Sequence, residues 1–239
     1  MLTSYANKVY SQNGEDGIIE FLLSQCENLN YKCFEIGISD GTECNTANLI
    51  KNKKYSGVLI DAQNQLNEQF YQGCSFNFMH QSVETDNIQS IFYDNNLVGH
   101  YDVFSLDIDG IDYWILKEII QHKLLTASVI VLEYQDILGP DVSLTIPNIK
   151  NFSAWDYDTY EGPNYCGASL KSFIALLQDE YRFVGCEPQG FNGFFMNKNQ
   201  TASINLEMKD IQPCFDIPKV KFGMEYRQPR TKDMEWTKV

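Results

Sequence analysis

Carboxylate side chains close two apolar runs of this sequence, at positions where they could do acid–base chemistry. Asp107 and Asp109 end the run that begins at Val103, and Glu133 follows the run Ser128–Leu132. A carboxylate placed this way can take a proton from a hydroxyl group as a general base, directly or through a bound cation. These three acids are therefore our candidate catalytic residues.

A glycine-rich turn and a more distant acid form a second candidate site. Gly37, Ser39 and Gly41 occupy alternate positions directly after the apolar run Cys33–Ile36. Asp61 closes a second apolar run about twenty residues on, where an α/β nucleotide site needs a carboxylate that accepts from ribose hydroxyls. Small residues let a backbone approach a ligand closely. The pair predicts a ligand that contains a nucleoside.

Apolar runs typical of strands alternate with segments of helical spacing, which predicts an α/β domain around a parallel sheet. Strands are predicted at 33–36, 56–60, 75–79, 103–108, 128–136, 181–186 and 191–196, and helices at 18–26, 45–53, 66–71, 87–96, 114–120 and 170–177. Ligands of an open α/β sheet bind at the carboxyl ends of its strands. We therefore expect Asp107, Asp109 and Glu133 to lie on the same edge as Gly37 and Asp61.

Oxygen ligands from neighbouring strand ends are what Mg²⁺ or Mn²⁺ prefers. The candidate metal ligands are Asp109, Glu133 and Gln135. The same carboxylates could instead hydrogen-bond to loops and to the ligand, an arrangement that needs no ion. The sequence leaves both alternatives open.

Several segments, taken together and in order, resemble the FkbM-type family of class I S-adenosylmethionine-dependent methyltransferases. The resemblance covers roughly residues 10 to 198, and the segments that carry it are Ser11–Asp16, Glu35–Gly41, Asn45–Thr46 and Leu106–Gly110. Ser39 stands where the family pattern has a glycine, and Asp61 stands where many relatives carry a glutamate. Both departures are chemically tolerable.

The resemblance implies a Rossmann-like fold with a seven-stranded, mostly parallel sheet, a C-terminal antiparallel hairpin and helices on both faces. It also implies S-adenosylmethionine as cofactor, with Asp61 at the ribose, Glu35 and the 37–41 turn at the methionine end, and Gln81 and Ser82 at the adenine. The cofactor-binding residues implied are Gln12, Glu15, Glu35, Gly37, Ser39, Asp40, Gly41, Asn45, Asp61, Gln81, Ser82 and Asp107.

By the same resemblance, the acceptor is a small molecule that is methylated on oxygen. It would be a sugar hydroxyl or a phospho-group of a nucleotide-activated or phosphorylated glycan precursor, in the synthesis of a bacterial surface polysaccharide (capsule) or secondary metabolite. Two alternatives stay open. The turn and the acid fit an NAD-dependent Rossmann oxidoreductase or epimerase equally well in isolation, and a non-catalytic glycan-binding module could use the same cleft.

Composition limits the class of partner. The 239 residues suit one domain, and 18 basic against 32 acidic residues give a net charge of −14, which opposes binding to nucleic acid. Seven cysteines without a C-x-x-C pair favour reduced thiols in the cytoplasm over a zinc cluster. We find neither a signal peptide nor an apolar run long enough to span a bilayer.

Two regions depart from the α/β pattern. Residues 137–167 form a long segment rich in aromatic, glycine and proline residues, which we interpret as a lid or substrate-binding insertion. Its Trp155, Tyr157, Tyr160 and Tyr165 could stack on a sugar or base, or pack a small core of their own. For 199–239 we expect an irregular extension that wraps the domain or contacts a second subunit of a homodimer.

Overall fold

A seven-stranded sheet with strand order β3-β2-β1-β4-β5-β8-β7 forms the centre of the protein. The computed structural model describes residues 2–200 and 206–239. The strands are β1 Lys32–Ile36, β2 Ser56–Asp61, β3 Ser75–His80, β4 Gly99–Leu106, β5 Leu125–Glu133, β6 Leu144–Thr145, β7 Tyr181–Cys186, β8 Asn192–Asn197 and β9 Thr237–Lys238. Strands β1 to β5 of the large sheet are parallel, and β8 is antiparallel to both β5 and β7. The predicted fold, including the C-terminal hairpin, is confirmed.

Helices cover both faces of this sheet. They are α1 Glu15–Leu23, α2 Ala47–Asn52, α3 Ile88–Asp94, α4 Asp112–Gln121, α5 Leu170–Leu177, α6 Gln212–Phe215 and α7 Pro218–Phe222. Side chains alternate along the strands, so Cys33 packs with α1 and α2 on one face while Phe34 packs with α3, α4 and α5 on the other. Two apolar cores result. None of the described helices is both long and apolar enough to cross a membrane.

The helix predicted at 66–71 is the first of two sequence predictions of local structure that are wrong. Residues 66–71 form successive turns in place of a helix, with Phe70, Tyr71 and Gln72 each donating to the carbonyl three residues back. The segment then ends at Gly73, whose φ of +81° stops a helix from continuing.

The described part of the C-terminal extension is ordered and largely helical, which corrects the expectation of irregular structure. Cys214, Phe215 and Val220 are buried in the core under β5 and the insertion. β9 pairs with β6 of the insertion in a small antiparallel sheet. Residues 201–205, inside the predicted extension, lie outside the described residues. The described apolar side chains of the extension, including Met208, Ile211 and Met224, pack against the core.

The cysteines are all free thiols. Five are buried, and burial raises the pKa of the Cys33, Cys44 and Cys166 thiols well above the usual value. Thiols of this kind stay protonated and pack as small apolar side chains. This supports the structural role predicted for them.

Candidate active site

A cavity of about 780 Å³ opens at the carboxyl ends of β1, β2, β4 and β5. Thirteen of the residues predicted for the site line it: Gln12, Glu15, Glu35, Gly37, Ser39, Asp40, Asn45, Asp61, Gln81, Ser82, Asp107, Asp109 and Glu133. The parallel strands bring these side chains together because all of them end at the same edge. Gly41 and Gln135 are the two predicted site residues that do not line the cavity.

The turn after β1 is joined directly to the acid at the end of β2. The Ser39 amide donates to Asp61 Oδ2 at 2.8 Å, and the Gln63 amide donates to Asp61 Oδ1 at 2.7 Å. The Gly37 amide donates to the Ile60 carbonyl at 2.9 Å. The turn and the acid of the predicted nucleoside site are therefore neighbours, and each Asp61 oxygen keeps a second lone pair for a further donor.

Gly37 is needed for a reason other than the one inferred from the sequence. An ideal Cβ at this position would lie 1.5 Å from the carbonyl oxygen of Asp107, and φ is +88°. The close approach is thus between the backbones at the ends of β1 and β4. Gly41 likewise faces the protein, since its Cβ would meet Leu66 and Tyr71. Gly41 therefore shapes the turn, and its contact with a cofactor stays a prediction.

Glu35 is buried beneath the turn and is compensated from within the protein. It accepts hydrogen bonds from the amides of Asn45 and Thr46 at 2.9 and 2.8 Å and from Thr46 Oγ1 at 2.5 Å. Burial raises the pKa of Glu35 and these hydrogen bonds oppose the rise. The carboxylate fixes the loop that leads into α2, so a contribution to cofactor binding would come through the shape of that loop.

Glu15, the first residue of α1, also lines the cavity. It is fully buried, and it accepts from the Asn13 amide at 2.7 Å and from Asn192 Nδ2 at 2.9 Å. Asn192 is opposite Glu133 in the β5–β8 ladder. The N-terminal motif and the C-terminal hairpin therefore meet at this wall, 177 residues apart in sequence.

Three acids at the ends of β4 and β5 form the most distinctive group of the cavity. Asp107, Asp109 and Glu133 each present an oxygen, and these oxygens lie within 4.8 Å of one another. Asp107 and Glu133 come from the ends of neighbouring strands, so their carboxyl groups interact directly across the cavity wall.

Burial and mutual repulsion raise the pKa values of these acids. The pKa of Asp107 rises to about 8 and that of Glu133 rises well above its usual range, in both cases because burial disfavours the charged form and neighbouring carboxylates repel it. The pKa of Asp109 rises to about 6 through burial and the charge of Asp112. Of Asp107 and Asp109, Asp109 is therefore the one that ionises more readily near neutral pH.

Gln135 is not part of this group. β5 ends at Glu133, and the chain then turns so that the Gln135 amide donates to the Ala168 carbonyl at 2.8 Å. Its side-chain Nε2 donates to Cys166 Sγ at 3.2 Å. The turn directs the side chain toward Cys166 of the insertion, and Gln135 does not line the cavity.

The loop after β3 supplies the wall where adenine binding was predicted. Gln81 and Ser82 line it together with Val83 and Glu84, which the sequence reasoning missed. The Asn151 amide donates to Glu84 Oε1 at 3.0 Å, so this loop is tied to the insertion. Glu84 could have been predicted from the sequence, because it comes only two residues after the predicted site residue Ser82.

The insertion forms the remaining wall through Phe152, Ser153, Ala154 and Trp155. Phe152 was also missed, although it belongs to the same aromatic segment as Trp155. Part of the insertion therefore borders the cavity, and its role as a lid or substrate-binding segment stays a prediction.

The described charged side chains that line the cavity are all acidic. Among the described residues, no Lys, Arg or His lines it. Nine acidic side chains do: Glu15, Glu35, Asp40, Glu43, Asp61, Glu84, Asp107, Asp109 and Glu133. A cavity with this lining favours cationic ligands and ligands rich in hydrogen-bond donors.

Comparisons with known proteins find similarity in structure only. No family model and no curated protein sequence matches the chain. A SAM-dependent methyltransferase from Archaeoglobus fulgidus is 13% identical, with 87% of this chain and 85% of that chain covered and a TM-score of 0.40. An O-methyltransferase from Bacillus cereus in complex with SAH is 16% identical, with 79% and 82% covered and a TM-score of 0.43.

A third similar structure has a different kind of acceptor in its name. A dimethyladenosine transferase from Plasmodium falciparum is 13% identical with a TM-score of 0.41, and 80% of this chain spans 64% of that protein. Likenesses this distant decide neither the cofactor nor the acceptor of the present chain. Its function must be inferred from its own residues.

Proposed function

We propose that this protein is an S-adenosylmethionine-dependent methyltransferase that methylates an oxygen of a small acceptor. The observation that carries the proposal is the cavity itself. In its wall, a hydrogen bond connects Ser39 of the 37–41 turn directly to Asp61. Its lining contains many acids and, among the described residues, no cationic side chain. S-Adenosylmethionine contains a sulfonium and an ammonium group against one carboxylate, so its net positive charge suits this lining.

The residues present fit the cofactor. Asp61 has lone pairs left for ribose hydroxyls, and Gln81 and Ser82 offer polar groups to the adenine. Ser39 and Asp40 would border the methionine end, with Glu35 holding the adjoining loop. Gln12, Glu15 and Asn45 complete the walls. When bound, the cofactor supplies an electrophilic methyl group.

Asp109 is the proposed general base of this chain. Its pKa of about 6 leaves it ionised at neutral pH, where it can take the proton of an acceptor hydroxyl. Asp107 and Glu133, whose oxygens lie within 4.8 Å of that of Asp109, would fix the acceptor oxygen beside it. Alignment of the two reactants and exclusion of water would supply most of the acceleration.

Asp107, Asp109 and Glu133 are also the residues that would hold a divalent cation such as Mg²⁺ or Mn²⁺. Their oxygens are close enough together and of the hard type that these ions prefer. Such an ion would supply Lewis acidity toward the acceptor oxygen. It would also neutralise carboxylates that no described cation compensates.

The FkbM-type resemblance supports a sugar hydroxyl as the acceptor, in the synthesis of a surface polysaccharide such as a capsule. A nucleotide-activated or phosphorylated precursor would bring negative charge to an acid-lined cavity, so its phosphates would have to stay outside or bind through the cation. The same argument disfavours NAD, whose pyrophosphate carries two negative charges.

Titration calorimetry with S-adenosylhomocysteine and with NAD tests the proposal. We expect binding of the homocysteine product, and Asp61→Ala should weaken it by about 1.5–3 kcal/mol, the magnitude of a hydrogen bond to a charged group. Asp61→Asn, which retains acceptor capacity, should weaken it less. Asp94→Ala removes an exposed aspartate outside the cavity and is the control. Binding of NAD in place of the homocysteine product would refute the proposal.

A further inference from the structure

The structure separates the four aromatic residues of the insertion that could contact a substrate. Tyr165 is buried, and Tyr157 packs against it with ring centroids 4.8 Å apart. Tyr160 lies outside the cavity beneath the Arg230 guanidinium. Only Trp155 of the four lines the cavity, and 68% of its surface is exposed. Trp is highly buried on average, and the exposed indole of Trp155 is therefore free to contact a ligand in the cavity.

The residues around Trp155 in the sequence are packed against the protein. Ala154, its neighbour, is buried, and the Phe152 ring stacks on Tyr157 with centroids 5.5 Å apart and planes inclined by 18°. Tyr165 in turn packs edge-on against Trp236 at 5.1 Å. Trp155 is therefore an exposed ring within a segment whose other aromatic side chains pack together.

The same cavity offers hydrogen-bond acceptors. Asp107, Asp109 and Glu133 line it and each present an oxygen, with these oxygens within 4.8 Å of one another. A saccharide has a flat face of C–H groups for an aromatic ring and hydroxyl donors around its edge for carboxylates. A cavity lined by an exposed indole and a group of carboxylates matches both parts of that ligand.

We propose that Trp155 is a specificity-determining residue that stacks on a saccharide ring of the methyl acceptor, and that this ring is uncharged or an amino sugar. The inference rests on the proposed function and names its substrate class. Since no described Lys, Arg or His lines the cavity, a sugar phosphate should bind worse than the sugar without the phosphate.

Fluorescence quenching of the protein loaded with S-adenosylhomocysteine tests binding directly. The chain has three tryptophans, and acrylamide should quench Trp155 most because Trp114 and Trp236 are partly buried. Methyl glucoside, glucosamine and glucose 6-phosphate are the probes. We expect the first two to protect against quenching in the wild type and to have no effect in Trp155→Phe, whose remaining tryptophans lie elsewhere.

Transfer of labelled methyl groups to a panel of methyl glycosides, amino sugars and sugar phosphates tests the role in turnover. Trp155→Ala should raise the acceptor KM about ten-fold through loss of stacking and change kcat less. Trp155→Phe keeps an aromatic face and should restore most of the affinity. Tyr93→Ala, which removes another exposed aromatic ring on α3, is the matched control.

The outcomes separate this inference from the proposed function. Binding of S-adenosylhomocysteine without protection or methylation of any saccharide would overturn the role of Trp155 and leave the methyltransferase proposal standing. Preference for the sugar phosphates, or a Trp155→Ala enzyme indistinguishable from Tyr93→Ala, would also overturn it. Absence of S-adenosylhomocysteine binding would refute the proposed function instead.

Discussion

Carboxylates occur in two kinds of surroundings in this protein. The buried Asp16 accepts through Oδ2 from the amides of Val9, Tyr10 and Ser11 at 2.8–2.9 Å and from the Ser11 hydroxyl at 2.7 Å. Glu35 has three donors at the start of α2, and Asp136 has the buried Arg227 as a cationic partner. In each case the protein itself supplies donors or a cation, which offset part of the cost of burial.

The group at the ends of β4 and β5 is different. Asp107, Asp109 and Glu133 are half-buried, line the cavity and lie close together without a described cation. The two groups differ in the supply of donors: compensated acids hold loops, whereas uncompensated ones are available to a ligand.

The largest expected effect on stability comes from removing Arg227, the cationic partner of the compensated Asp136. Arg227→Met would leave Asp136 buried without its cation and should lower the free energy of unfolding by about 3–5 kcal/mol. Urea denaturation measures this. Adding Asp136→Asn should recover part of the loss, and Lys221→Met, in an exposed ion pair, should change little. Equal effects of Arg227→Met and Lys221→Met would contradict the comparison.

Removing the uncompensated charge of Asp109 should raise the free energy of unfolding. The folded-state pKa of Asp109, about 6, lies above its usual value of 3.8, so the native state binds more protons and stability is lost as pH rises through that window. Asp109→Asn should therefore stabilise the ligand-free protein by up to roughly 3 kcal/mol above pH 6 and hardly at all near pH 4.

The substitution suits its position, because Asp109 has a φ of +49° that Asn also tolerates. Urea denaturation at pH 4, 6 and 8 gives the comparison, and methyl transfer by the variant should be strongly reduced. A destabilised variant at pH 8 would show that Asp109 is compensated after all.

A cation should relieve the same repulsion. At 100 times its Kd, Mn²⁺ should stabilise the wild type by about 2.7 kcal/mol, and EDTA should reverse this. The effect should be larger at pH 8 than at pH 5.5, because the ion competes with protons for the carboxylates. Asp109→Asn should lose the effect and Asp94→Ala should keep it. Equal stabilisation of all three proteins would place the ion elsewhere.

The smallest expected effect on stability concerns the hydrogen bonds of Glu35, a compensated acid. Thr46→Val removes one of the three donors to Glu35 and should cost about 1.5 kcal/mol, as for a hydrogen bond to a charged group. Thr42→Val removes a similar donor from the exposed Asp40 and should leave stability unchanged within error. Thermal denaturation of both variants provides the test. Matching losses would mean that burial does not strengthen the Glu35 contacts.

Much of the site could be predicted from the sequence because it depends on local pattern. Apolar runs such as Ser128–Leu132 mark strands, and parallel strands must end at one edge. Acids that follow those runs, Asp61, Asp107 and Glu133, therefore had to meet there. The same reasoning failed at 66–71, where the apolar spacing of a helix occurs in a segment too short to complete one before Gly73.

The sequence by itself determined the order of strands and helices and which acids share an edge, since both follow from side-chain periodicity and chain connectivity. Only the tertiary structure decided what each polar residue does there. Glu35 is satisfied by Thr46, Gln135 turns toward Cys166, and Trp155 alone of four aromatic residues faces the cavity. These roles depend on donors and surfaces far away along the chain, and local pattern contains no information about which of them will be within reach.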